Sequence, residues 1–544
     1  MQYRVRWGGG VFCYNDADMD RQGKIAKAAG VMSAATLVSR ILGYIKDMIL
    51  AGFFGATGLS DTFFAAFRIP NLLRELFAEG SMSSAFIPVL TEYRQKQGEE
   101  EARRLVRITF TFIMAVVGLV CAAGIVFSPA IVSVIAPGFL QSLEKFSLAV
   151  LLTRIMFPFL LFISLASLVM GALNTKKVFF VPALAPAMLN VTIIAIVLLL
   201  APRSSEPITV VAVGVAVGGF VQFVFQLPSF YRNGYDLGID ASFRHEGLKR
   251  MAILLVPATL ALAVNQINII VSNILASYLP EGSITYLYYS MRLVQFPIGI
   301  FGVAMGMAVL PMLSEHAVEK QYDKLREDFS FGIRILFFIA VPSMAGLISL
   351  REPIVNLLFQ RGEFDYQATL GTADALLFYS IGIWSIAGNR VITSAFYAMQ
   401  DTKTPVRIAA VGVGANILLS LALMGPMKHL GLAFANSLAS AINFFLLLSF
   451  LRRKLGTVDA RKIGRSFAKI ALSSVLMGLV GWVLLHGELW QTRGDTLFKA
   501  GALSCVMLLC MLVYLGMGWL LKSEELVYLR ELVVRKIRNK RNAR

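Results

Sequence analysis

The sequence is poor in charge. Only 15% of its 544 residues are Asp, Glu, Lys or Arg, whereas a soluble chain carries about a quarter. Hydrophobic residues make up 57%, and this balance excludes a water-soluble enzyme of several domains. Apolar runs recur from residue 30 to residue 521, and each has the roughly 20 residues needed to cross a hydrocarbon core of about 30 Å.

Motifs for catalysis and metal binding are missing as well. The chain has four Cys and four His, with no CxxC pair, no HExxH and no GxxxxGK[ST] loop. We therefore predict no ATP hydrolysis, no metal site and no cofactor, and we expect the cysteines to be small packing residues. Despite the net charge of +18, no basic domain is interleaved with aromatic residues, so nucleic-acid binding is not predicted.

The apolar runs predict a polytopic α-helical membrane protein. Residues 1–29 are polar and lack the apolar core of a cleavable signal peptide, so we interpret them as a tail before an uncleaved first span. The sequence predicts fourteen spans, at about 30–53, 61–91, 106–128, 146–173, 178–201, 207–230, 250–279, 284–314, 329–350, 370–399, 405–424, 429–451, 466–487 and 498–521.

Cations concentrate in alternate loops. They occupy 94–107, 176–177, 244–250, 320–326, 403 and 452–462, whereas GATGLS (54–59) has no charge and LPEGS (279–283) has one Glu. Because cytoplasmic loops carry the excess of Lys and Arg, we place the basic loops and both termini, including the basic tail 522–544, in the cytoplasm.

Short segments recur at a nearly constant spacing. AFIPVLTEY (85–93) returns as AVLPMLSEH (308–316), DTFFAAFR (61–68) as TYLYYSMR (285–292), and Asn190 corresponds to Asn416. A repeat of six spans has the same orientation twice and is therefore parallel. We predict two six-helix lobes, 30–232 and 249–453, around a central cavity, with two extra C-terminal helices in 466–521.

Several charges fall inside the predicted spans, where each Arg, Lys or Asp costs about 2.5–3.5 kcal/mol. Such a cost is tolerated only if the groups meet water, one another or a ligand. They are Arg40, Lys46, Asp47, Asp61, Arg68, Arg74, Glu75, Glu79, Arg154, Arg292 and Arg390.

Two interpretations of these charges compete. Structural ion pairing or snorkelling stays open for Arg154 and Arg390, and we favour it for Glu75 and Glu79. Four cations outnumber their acidic neighbours, which predicts an anionic ligand, and the guanidinium fork suits phosphate oxygens. These four are Arg40, Lys46, Arg74 and Arg292.

Four segments resemble the MurJ/MviN lipid II flippases of bacterial inner membranes, within the multidrug/oligosaccharidyl-lipid/polysaccharide exporter superfamily. They are SRILGYIKD (39–47), SDTFFAAFRIPNLLRELFAEGSMSSAFIPVL (60–90), ASLVMGALN (166–174) and YYSMRLVQFP (288–297). The resemblance implies fourteen helices, a cationic cavity for the pyrophosphate and sugar-peptide head, and a groove for the polyprenyl tail at 466–521. It implies substrate-binding positions at Arg40, Lys46, Asp47, Asp61, Arg74 and Arg292.

This sequence departs from the family at two places. Lys46 stands where relatives carry Arg, which keeps the charge but loses the bidentate fork. Some relatives are thought to bind sodium through carboxylates of spans 7, 11 and 12. Here those spans offer only neutral groups, and we predict no metal there. The groups are Asn268, Ser272, Asn273, Asn416, Ser420 and Asn436.

The resemblance implies that the chain flips lipid II from the cytoplasmic to the periplasmic leaflet by alternating access and is not an enzyme. We expect a monomer whose partners are lipid II and membrane lipids. The alternatives are a polysaccharide-lipid flippase and a cation-coupled exporter of the same superfamily, although an exporter of cations would favour a negative cavity. An enzyme acting on polyprenyl phosphates would need a clustered acid/base or metal site. Docking of cell-wall synthesis proteins on the cytoplasmic loops stays open.

Overall fold

The structure, a computed structural model, describes residues 2–7, 10–75, 81–456 and 458–531. Two short strands, β1 (Gln2–Trp7) and β2 (Gly10–Asn15), pair antiparallel at the amino end. The other regular elements of the described chain are helices, joined by turns and loops. The helices, numbered α1 to α21 in chain order, are Asp16–Phe54, Gly58–Arg74, Ser81–Lys96, Glu99–Val126, Ser128–Ile135, Leu143–Met156, Pro158–Thr175, Phe180–Leu200, Pro207–Val224, Leu227–Arg232, Glu246–Ser277, Ser283–Pro297, Val303–Val318, Tyr322–Ser349, Arg351–Phe359, Tyr366–Ser380, Ile383–Ala398, Lys403–Met427, His429–Leu455, Ala460–Leu485 and Thr496–Leu520.

The helices confirm the predicted all-α membrane architecture. Eleven helical segments among the described residues are long and apolar enough to cross a membrane. The other three predicted spans fall on α1, on the pair α2 and α3, and on α11. The helix α1 begins at Asp16 rather than near residue 30, because the polar stretch 16–29 contains four Ala and two Lys, which favour helix.

The chain divides into two compact units. Unit 1 comprises Met1–Ile49, Ala66–Ser133 and Phe146–Ala263, and unit 2 comprises Leu50–Ala65, Val134–Lys145 and Val264–Arg544. The helix order repeats along the chain: the long α4 precedes the short α5 much as the long α14 precedes the short α15. The division into lobes at 30–232 and 249–453 stays a prediction.

Unit 1 is built around α7. Thirteen of its 18 residues are buried, as expected of a helix that is apolar on all sides. Gly171 lets the buried ring of Phe86 approach closely, because a Cβ at position 171 would lie 2.8 Å from Cδ1 of that ring. The cysteines with described side chains are free: Cys121 and Cys510 are buried and Cys505 is exposed.

The loops predicted to be cytoplasmic hold many of their cations in ion pairs. In unit 1, Arg107 Nη2 donates to Asp236 Oδ2 at 2.6 Å, and this bond lowers the pKa of the Asp236 carboxyl. In unit 2, Lys454 Nζ donates to Asp401 Oδ2 at 2.9 Å and lowers the pKa of Asp401 to about 2. These pairs fix the loops that join the helices.

Candidate functional site

Two of the predicted site residues form an ion pair within α1 in unit 1. Lys46 Nζ lies 3.0 Å from Asp47 Oδ1, with side chains 13% and 0% exposed. The buried carboxylate thus holds the lysine ammonium in place. Arg40, two turns earlier on the same helix, is exposed.

Arg74 ends α2 and is held by its helical neighbours. Its Nε donates to Asn71 Oδ1 at 3.1 Å, and its Nη2 lies 3.9 Å from Glu75 Oε1. Asn71 also donates to Glu75 Oε1 at 3.2 Å. Asn71 was not recognisable from sequence, because a neutral amide in a predicted span does not carry the conspicuous cost of a charge. Glu79 lies outside the described residues.

Asp61 is buried in unit 2 and accepts three hydrogen bonds from the start of α12. The donors are Gly282 N at 2.7 Å, Thr285 N at 2.8 Å and Thr285 Oγ1 at 2.7 Å. These amides belong to the positive end of a helix, where a carboxylate is favoured. Asp61 therefore anchors α2 to the beginning of α12.

Arg292 lies on α12 and is partly buried. Two helical turns separate Arg292 from Thr285, which donates to Asp61. Arg292 and Thr285 therefore lie on the same face of α12. After Pro297, a π-helical turn at Ile298–Gly302 separates α12 from α13. Such turns are frequent at functional sites.

Arg154 and Arg390, for which the sequence did not decide between structural pairing and ligand contact, have different surroundings. Arg154 Nε donates to Ser128 Oγ at 2.9 Å in unit 1, a structural contact between α6 and α5. Arg390 on α17 is exposed and runs beside the π-helical turn, since a Cβ at Gly302 would lie 3.5 Å from its Cδ.

Some of the neutral side chains of predicted spans 7, 11 and 12 are hydrogen-bonded to one another or to backbone. Asn416 Nδ2 donates to Asn268 Oδ1 at 2.6 Å, and Asn273 Nδ2 donates to the Ile135 carbonyl at 3.1 Å. The amide pair brings α18 and α11 together inside unit 2.

Comparisons with known proteins decide the family. A family model described as lipid II flippase MurJ matches residues 50–500. A lipid II flippase MurJ of Burkholderia cenocepacia is 35% identical over 501 residues, covering 91% of this chain and 97% of that protein. The chain belongs to the MurJ lipid II flippase family.

Solved structures agree with this assignment. A MurJ flippase in an inward closed conformation matches 92% of this chain and 99% of its own, with a TM-score of 0.74 and 28% identity. An inward-facing multidrug transporter of the MATE family matches 79% of the chain with a TM-score of 0.65 at 12% identity, a likeness of fold alone. The predicted MurJ resemblance is therefore confirmed.

Proposed function

We propose that this chain carries lipid II across the bacterial inner membrane, from the cytoplasmic to the periplasmic leaflet, by alternating access. The observation that carries the proposal is the match to the MurJ family over most of the chain. The absence of catalytic motifs in the sequence agrees with a transporter, and the charge bias of the loops supports cytoplasmic termini.

The pyrophosphate of lipid II is the proposed ligand of Arg40, Lys46, Arg74 and Arg292. Two of these cations have acidic neighbours in the structure, the buried Asp47 beside Lys46 and the partly exposed Glu75 beside Arg74. We assign positioning roles to the two acids: Asp47 orients the lysine, and Asp61 fixes the start of the helix that carries Arg292.

The polyprenyl tail is proposed to lie against α20 and α21. Both helices expose large apolar side chains, and Leu508 and Leu512 of α21 are 64% and 66% exposed. A lipid tail needs no polar partner and is as apolar as leucine. It can therefore follow this surface while the head passes through the protein.

Binding of purified lipid II in nanodiscs tests the proposal. Arg74→Ala and Arg292→Ala should each weaken lipid II binding about tenfold or more, because each removes a charge-assisted contact to phosphate worth about 1.5–3 kcal/mol. Arg407→Ala, at an exposed arginine of α18 outside the proposed site, is the matched control and should bind as the unaltered protein does.

Undecaprenyl phosphate and a polysaccharide-linked pyrophosphate lipid serve as competitors. Poor competition by both supports lipid II over the polysaccharide-lipid alternative. If all three variants bind lipid II as tightly as the unaltered protein does, Arg74 and Arg292 have a structural role and the proposed site is wrong.

A further inference from the structure

A second group of cations surrounds a cavity in unit 2, far along the chain from the proposed transport residues. The cavity, of about 260 Å³, lies between the segment after α15 and the first turn of α21. Its lining includes Arg361, Arg493 and Lys499 and has no Asp or Glu. Among the described residues, none of these three cations has a carboxylate within ion-pair distance.

Lys499 is the buried member of this group, with 2% of its surface exposed. Its Nζ donates to Asn356 Oδ1 at 3.2 Å and to the Thr492 carbonyl at 2.6 Å, both neutral acceptors. A lysine ammonium has three protons to donate. Two of these protons are used by the neutral acceptors, the Trp490 ring centroid lies 6.0 Å from Nζ, and the residues that line the cavity include no carboxylate.

The cavity wall is held together by buried amides. Asn356 Nδ2 donates to the Trp490 carbonyl at 2.6 Å, and Gln360 Nε2 donates to the Gln491 carbonyl at 2.9 Å. Gly362 turns the chain with φ of +51°, and a Cβ there would meet the Gly52 carbonyl oxygen at 2.1 Å. The cations therefore project from a fixed frame.

The first turn of α21 borders the cavity, and the carboxylate of Asp495 stands just before it, close enough to interact electrostatically with Lys499. Asp495 precedes this 25-residue helix without a side-chain capping bond, and Thr496 lines the cavity. Free amides at a helix start favour an anion. Leu497 and Phe498, in the same turn, are 90% and 67% exposed, which is typical of a helix entering hydrocarbon. We therefore infer that the cavity lies at head-group depth.

We propose that this cavity is a binding site for the phosphate group of a lipid head group, separate from the proposed transport residues. By the charge bias of the loops it faces the periplasm, where cations are otherwise scarce. Arg361 Nη2 donates to the Leu357 carbonyl at 2.8 Å, and Lys499 donates to neutral acceptors only, so a phosphate oxyanion would supply the anionic acceptor that the cavity lining does not contain. The competing interpretation is that Lys499 only ties the 490–492 loop to α15.

The double variant Arg361→Gln, Arg493→Gln separates these interpretations, because it removes two charges and leaves the Lys499 hydrogen bonds in place. Arg203→Gln, Lys428→Gln is the control: it makes the same charge change at two exposed cations on the same predicted side. Native mass spectrometry measures binding of phosphatidylglycerol, with phosphatidylcholine as reference and inorganic pyrophosphate as competitor.

We expect the double variant to bind phosphatidylglycerol about a hundredfold more weakly than the unaltered protein and the control, because it loses two charge-assisted hydrogen bonds, each worth about tenfold or more in affinity. Displacement by inorganic pyrophosphate would show that free phosphate suffices, and no displacement would show that the lipid is required; both support a phosphate site. Unchanged phosphatidylglycerol binding in the double variant would overturn the proposed phosphate site.

If that variant unfolds, Arg493→Gln alone, at an exposed side chain, gives the same comparison. Lipid II transport is not part of the readout, so the proposed function and this site fail independently.

Discussion

At the scale of single residues, the cost of burying charge made the candidate site visible in the sequence. Arg40, Lys46, Arg74 and Arg292 stand out because apolar residues surround them in the sequence. Their neutral partners do not: Asn71 beside Arg74 carries no such signal. Hydrophobic patterning therefore finds the charges of a membrane site and misses the amides and hydroxyls that orient them.

Asp61 shows how this limit affects a functional assignment. Its carboxylate accepts hydrogen bonds from Gly282 and Thr285, which are far away in sequence. Asp61→Asn puts an amide opposite backbone donors, and we expect it to lower the free energy of unfolding by about 1–3 kcal/mol. Thermal unfolding in detergent measures this loss. The affinity of the folded variant for lipid II should fall less than in Arg292→Ala, because the guanidinium that contacts phosphate is still present and only its anchor is weakened.

Asp323→Asn is the control for that variant, since the Asp323 side chain is 91% exposed and its loss should leave unfolding unchanged. The opposite pattern, with normal unfolding and lost lipid II affinity in Asp61→Asn, would show that this carboxylate contacts substrate.

At the scale of helices, equivalent positions of the predicted repeat touch one another in unit 2. Asp61 bonds to Thr285, and the Phe64 and Tyr288 rings stack with centroids 4.0 Å apart. Each pair is related by the repeat spacing inferred from sequence. The repeat itself was predictable from matching segments, but the contact between its copies was not, because spacing says nothing about which helices meet.

The α2–α12 contact lies at the end of the helices predicted to be periplasmic. If lipid II leaves on that side by alternating access, α2 and α12 must separate there. In a protein whose native cysteines are replaced, a disulfide between Phe64→Cys and Tyr288→Cys should stop lipid II export, and reduction should restore it. Flipping in reconstituted vesicles before and after reductant measures the effect.

A disulfide between Phe378→Cys and Phe434→Cys is the matched control, because these rings also pack within unit 2, with centroids 5.3 Å apart. Export that continues with α2 and α12 cross-linked would show that this contact need not open.

At the scale of the whole molecule, the span count followed from length and hydropathy, since a helix must cross about 30 Å of hydrocarbon. Which segments of the chain make up each unit could not be predicted from length and hydropathy. Leu50–Ala65 and Val134–Lys145 belong to unit 2, although most of the chain around them belongs to unit 1. Apolar side chains face lipid and helix alike, so hydropathy does not say which neighbours a helix packs against.

Moving the head group also carries charge through the whole protein. The two negative charges of a pyrophosphate diester gain about 4–5 kcal/mol per 100 mV when they leave a negative interior. We therefore expect lipid II flipping by uniformly oriented protein to accelerate when a potassium-diffusion potential makes the cytoplasmic side negative, and to slow when the polarity is reversed. The Arg292→Ala variant should show little flipping at either polarity. A flipping rate that does not change with the membrane potential would contradict this expectation. It would mean that protein cations cross the field together with the phosphates, because only a net charge that moves through the field changes the free energy of the step.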